Sequence, residues 1–100
     1  MDSDSPDIQI SDVVVSTAGR DRGEWFYVID EDPTYLFLVN GKDRTIEKPK
    51  RKKRKHVQRA LRSETRVAGK LLSGDKVLNS ELRRDLAFLV REMQANNLGG

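Results

Sequence analysis

Two five-residue segments, Trp25-Phe26-Tyr27-Val28-Ile29 and Tyr35-Leu36-Phe37-Leu38-Val39, carry an apolar side chain at every position. A strand that packs on one side and meets water on the other alternates apolar with polar, because successive side chains point to opposite faces. Neither segment alternates, so a hairpin made from them must be covered on both faces. The link between them, Asp30-Glu31-Asp32-Pro33-Thr34, has turn chemistry, and Pro33 ends the ladder because it has no backbone donor. One face can be covered if the sheet curls into a small barrel. The other needs a lid.

The flanking sequence supplies candidates for both. Val13-Val14-Val15 is a β-branched strand, followed by the turn-rich stretch Ser16-Thr17-Ala18-Gly19-Arg20-Asp21-Arg22-Gly23. Asn40-Gly41 offers the positive-φ pair of a type I′ hairpin turn. Thr45-Ile46-Glu47 is then expected to return as a short fourth strand. After that the pattern changes to helix. Ser63 can cap a helix over residues 64–73, with Val67, Ala68, Leu71 and Leu72 on one side and Gly74 as its stop. Asn79 or Ser80 can cap a longer one, in which Leu82, Leu86, Leu89, Val90 and Met93 recur at helical spacing and Asn96-Asn97 ends the pattern. That stripe is the largest apolar surface left, and it is predicted to be the lid.

In a chain of 100 residues this makes one small domain. The predicted class is mainly β with C-terminal helices: a barrel over residues 10–57, then a helical extension over 58–97 packed on it. Residues 1–9, acidic and polar at their start, are predicted to be a disordered tail.

Charge is segregated along the chain. Residues 48–55, Lys-Pro-Lys-Arg-Lys-Lys-Arg-Lys, hold seven cations and no apolar side chain, while the whole protein is only +3. The nine basic residues between positions 42 and 55 outnumber Asp43 and Glu47 by seven, so the remainder is net negative. Such a run repels itself, and a polyanion neutralises it. Its bland readings are a solvated linker or a signal read by import machinery. Nucleic acid is the stronger expectation, because Arg20 and Arg22 sit between two loop glycines and Lys42 and Arg44 follow the hairpin turn, so several cations can flank one barrel edge.

Other chemistry is thinly supported. With no cysteine there are no disulfides or thiolate metal sites, and the lone His56 belongs to the basic flank. The spacing Gly19-x-x-x-Gly23 lacks the Lys-Ser or Lys-Thr of a P-loop, and Glu24 follows it instead. There is no Gly-x-Ser-x-Gly elbow and no carboxylate pair in an apolar setting, so an enzyme is not expected, nor is a cofactor or a small-molecule substrate. The aromatic residues of the two strands are assigned to packing ahead of base stacking. The acidic N-terminus is unlike a secretory leader, and apolar stretches of about five residues fall far short of the roughly 20 that span a bilayer. A cytoplasmic location and no membrane partner are the expectation.

Taken together, Val13-Val14-Val15, Gly19-Arg20-Asp21-Arg22-Gly23 and the strand at 25–29 resemble the KOW motif. The Asn40-Gly41-Lys42 hairpin, residues 44–47 and the basic tract up to His56 are similar to one branch of that family, the bacterial KOW-domain RNA-binding proteins, related to KOW-type large-subunit ribosomal proteins of archaea and eukaryotes. The resemblance covers residues 10–57. It implies a small SH3-like barrel that binds RNA, usually ribosomal RNA, in association with the ribosome and its proteins during translation, without catalysis. By motif position Arg20, Arg22, Lys42 and Arg44 would face RNA. With them the basic tract is expected to grip phosphates through Lys48, Lys50, Arg51, Lys52, Lys53, Arg54, Lys55 and His56. Glu24 and Trp25 depart from the pattern, which often has a basic residue and another glycine there. The competing expectation is a protein-interaction adaptor that uses the barrel or the helix at 82–93.

Overall fold

A computed structural model describes the backbone of residues 7–99 and the side chains of residues 7–95. Five strands form one antiparallel sheet: β1 (Asp12–Ser16), β2 (Trp25–Glu31), β3 (Tyr35–Val39), β4 (Lys50–Lys53) and β5 (Val57–Arg62), in the order β4-β3-β2-β1-β5. Two helices follow, α1 (Arg66–Ser73) and α2 (Asn79–Gly99). The mainly β class with C-terminal helices is therefore present. The hydrogen-bonded ladder stays open between β4 and β5, which a 3₁₀ turn, Arg54–His56, joins directly. The register shifts at Val13/Val14 on β1 against β5 and at Val28/Asp30 on β2 against β3 are bulge-like irregularities of the kind that increase local twist.

The β2–β3 hairpin is covered on both faces at its centre, through Phe26, Tyr27, Val28, Leu36, Leu38 and Val39, while Trp25, Ile29, Tyr35 and Phe37 are only half-buried. On one face Val14, Phe26, Val28, Leu36 and Leu38 pack with Ile8 and Val57. On the other side Val13, Tyr27 and Val39 meet Val67 and Ala68 of α1, and Leu82, Leu86 and Leu89 of α2. The lid is thus α2, with Val90 and Met93 half-buried at its margin. At about 1.5–3 kcal/mol for each fully buried Leu, the three leucines make it a main contributor to stability.

Several local expectations change. Ile8 is fully buried, so residues 8 and 9 belong to the fold and not to a tail; residues 1–6 lie outside the described residues. The segment 45–47 makes only a single bridge, Thr45 to Lys48, and the strand beside β3 is the basic run itself. Sheet pairing continues past residue 57, because β5 returns to pair with β1. Thr65, not Ser63, caps α1, its side chain accepting from the Ala68 N–H, and Gly74 closes that helix at φ 76°. Leu72 is 64% exposed and leaves the predicted apolar side. At the start of α2 the Leu78 N–H donates to Glu81 Oε1 at 2.9 Å, the returning half of a capping box. The Asn79 side chain instead turns outward, to the loop that precedes β4. The α2 backbone continues past Asn96-Asn97. No helix among the described residues is long and apolar enough to cross a membrane.

Asn40-Gly41 does not form a type I′ turn, since only Gly41 has a positive φ, 77°. Asn40 Oδ1 instead accepts from the N–H groups of Lys42 and Arg44, folding a longer loop around one amide. Gly41 has a second reason to be glycine: a Cβ there would stand 2.2 Å from the Asn79 carbonyl oxygen and 3.0 Å from Leu82 Cβ. The loop is pressed against the first turn of α2. It is also tied there, for Ile46 N–H donates to Asn79 Oδ1, Asn79 Nδ2 donates to Glu47 Oε1, and Arg83 donates to the Gly41 carbonyl at 2.7 Å.

Candidate nucleic-acid interface

The basic run is an edge strand and not a free arm. Strand alternation divides its side chains: Lys50 and Lys52 turn in, Arg51 and Lys53 turn out. A lysine-rich edge also discourages pairing with other sheets, which is the plainest structural use of such a strand.

The inward pair converges on Asp21. Lys52 is 8% exposed and donates to Asp21 Oδ1 and to the Ala18 carbonyl, both at 2.7 Å. Ser16 Oγ donates to the same carboxylate oxygen at 2.7 Å. Lys50 Nζ stands 2.9 Å from Asp21 Oδ2 as an ion pair, at an angle that leaves this buried oxygen without an aligned hydrogen bond. Burial by itself would raise the Asp21 carboxyl, but the donors, Lys52 first and then Lys50 and Ser16, hold it well below the ordinary carboxylate range. Asp21 is the middle of the loop that was expected to face RNA, so the loop is braced to β4 by charges of the run itself. Arg54 is likewise committed within the fold, to Glu31 and to the carbonyls of Asp32 and Ile8.

Three of the expected RNA-facing cations, Lys50, Lys52 and Arg54, are therefore partnered internally, and Lys52 is a buried part of the structure. His56 is half-buried in the 3₁₀ turn, where its carbonyl accepts from the Thr17 N–H at 2.9 Å. Arg20, Arg22, Lys42, Arg44, Lys48, Arg51, Lys53 and Lys55 have no ion-pair partner among the described residues. All of these are exposed except Arg44, which is half-buried. Arg51 lies over the Tyr35 ring at 4.3 Å from its centre, which orients its guanidinium without neutralising it.

The loops meet. Arg20 and Asp21 of the β1–β2 loop, Asp43 and Arg44 of the β3–β4 loop, Glu24, Phe26 and Lys50 line one cleft of about 340 Å³. A second, larger groove of about 740 Å³ runs between the same two loops and α2, and it brings in Arg83 and Arg91. Reading α2 only as a lid missed these two cations. Their eight-residue spacing, beside the buried stripe, was the available signal.

Comparison with protein-family models finds no match to this chain, and comparison with curated proteins finds none either.

Proposed function

We propose that this chain is a noncatalytic RNA-binding protein of the KOW type, its curled sheet serving as an SH3-like barrel and its target a ribosomal RNA in the cytoplasm. The observation that supports it is the charge left over after folding. The fold satisfies its own electrostatics with Lys50, Lys52 and Arg54, and still leaves cations on two loops and the β4 edge that have no ion-pair partner among the described residues. A surface that keeps like charges together at an electrostatic cost has a use for them, and phosphates are their natural counterions. About five to seven phosphate contacts give a log affinity against log salt slope of about −3.5 to −5 on single strands.

The test is RNA binding followed over a salt series. Replacing Lys48, Arg51, Lys53 and Lys55 with glutamine is expected to weaken binding across sequences and flatten the slope by about 2 to 3, with the fold intact because, among the described residues, three of the four side chains make no polar contact and the fourth only overlies a ring. Arg20→Ala with Arg22→Ala is expected to flatten it by about 1.4, which is two contacts at roughly 0.7 each. Unchanged affinity for ribosomal RNA in the fourfold variant at about 150 mM salt refutes the reading. A protein-interaction adaptor then takes its place, favoured by the half-exposed ring of Phe88 on α2.

A further inference from the structure

The groove between the two loops and α2 is unlike the rest of the basic surface, because it has an apolar floor. Trp25 is half-buried and packs against the helix-side core, which fixes its indole, and it lines the groove beside Leu86, Ala87 and Val90 of α2. Lys42, Arg83 and Arg91 are the cations of this groove, and Glu24 is the one acid among its lining residues. Its volume of about 740 Å³ falls within the roughly 300–1,000 Å³ of ordinary ligand sites.

We infer that this groove seats an unstacked base of single-stranded RNA against Trp25, with the adjoining phosphates on Lys42 and Arg91. The inference rests on the RNA-binding reading above and makes it specific to strand form. Charge selects an anionic occupant. The aromatic floor selects one with a flat face, since an immobilised indole beside cations is the usual platform for a splayed-out base. Continuity selects the same polymer that the loops grip: Lys42 belongs at once to the β3–β4 loop and to this groove, and Glu24 lines both the groove and the 340 Å³ cleft. Duplex RNA keeps its bases stacked and cannot offer one to the indole. Glu24, unfavourable beside a phosphate, is suited to accept from the exocyclic amino group of a base, with the amide of Gln94 also in the lining.

Trp25 is the only tryptophan in the chain, so its emission reports on the groove directly. The experiment titrates the full chain with a labelled single-stranded RNA of about 12 nucleotides, within the usual range of site sizes, and with the same sequence as a duplex. Label anisotropy and Trp25 emission are read together. The expected result is saturable quenching by the single strand, with the same midpoint as the anisotropy, and no quenching by the duplex even where it binds. Ala87→Glu puts a carboxylate on an exposed helix position of the groove lining. It is expected to weaken the single strand about tenfold or more and to remove the quenching, while duplex affinity changes by less than about threefold, a loss within what one stacked base contributes. Ala95→Glu, an equal change of charge on α2 outside the groove, is expected to leave the quenching in place.

RNA binding by anisotropy with unchanged Trp25 emission, or single-strand affinity in Ala87→Glu equal to that of the parent, overturns the inference and spares the RNA-binding reading. Absence of binding by either RNA at about 50 mM salt, where phosphate contacts are strong, overturns both. Quenching by poly-glutamate at lower concentration than by RNA overturns the inference in favour of an acidic protein partner.

Discussion

Of the cations on β4, Lys52 is the one whose loss should destabilise the fold most. Its ammonium is buried, it donates to Asp21 and Ala18, and Asp21 has one carboxylate oxygen with no aligned donor even in the parent. Lys52→Gln strands a buried carboxylate. Breaking a buried ion pair from one side costs about 3–5 kcal/mol. Lys50 remains 2.9 Å from the other oxygen with a side chain 25% exposed, so a net loss of about 2–3 kcal/mol is expected. Arg51→Gln and Lys53→Gln, one position to either side, point to solvent and should cost about 0.5 kcal/mol or less. Urea unfolding followed by Trp25 emission measures all three. The cost should also depend on pH: because the Asp21 carboxyl is held low in the folded chain, the parent keeps this contribution above the ordinary value of 3.8 and loses it progressively as pH falls below that. In Lys52→Gln this acid limb should shrink. Equal losses for Lys52→Gln, Arg51→Gln and Lys53→Gln, or a Lys52→Gln cost that is fully additive with that of Asp21→Asn, would refute the assignment of Lys52 to structure.

Three further outcomes follow from the packing. Gly41→Ala should cost about 2–5 kcal/mol, because a left-handed φ is combined with a Cβ that would collide with the backbone of α2. Gly23→Ala, at a similar φ of 90° with nothing within 4 Å, should cost only about 1–2 kcal/mol, and similar melting curves for the two variants would show that the loop does not dock. Leu82→Ala and Leu89→Ala should each lose about 2–5 kcal/mol in chemical denaturation, with Leu82 the larger because it is fully buried and Leu89 is 8% exposed. The buried Tyr27 hydroxyl bonds to Asp85, Ser63 and Thr65, and burial, then the Asp85 carboxylate, push it up to about 12. Its contribution should therefore be complete below pH 10 and fall away as pH rises from 10 through about 12; Tyr27→Phe, measured beside the parent over that window, should lack this component of the alkaline loss.

The architecture was legible in the sequence wherever a pattern had only one physical solution. Two uniformly apolar strands required cover on both faces, one amphipathic helix was long enough to give it, and Leu82, Leu86 and Leu89 do so. Patterns with two solutions were misread. Asn40-Gly41 matches a tight hairpin turn, but the glycine answers to a helix 38 positions further on whose approach no local pattern announces. Residues 48–55 match a solvated arm because sequence gives charge without direction. Once Lys50–Lys53 pairs with β3, alternation turns Lys50 and Lys52 toward Asp21, the acid between Arg20 and Arg22. The candidate site was thus legible in its residue types and not in which of them the fold would consume. Ile8 was lost for a related reason, since one apolar residue after an acidic stretch has no periodicity to reveal that it fills the end of a core.

The clamp of the 40–48 loop onto the start of α2 fixes when conformational freedom is lost. A mobile loop bearing Lys42 and Arg44 would have to be ordered by whatever bound it, and each immobilised side chain would subtract from affinity. Here Gly41, Asn79 and Arg83 order that loop during folding, so the entropy is already surrendered before any ligand arrives. The first turn of α2 thereby completes the sheet's own loop: the strands can pair first, but the loop takes its clamped geometry only when residues 79–83 are in place to hold it. A chain without α2 would keep Lys42 and Arg44 on a slacker loop and lose Arg83 and Arg91 altogether.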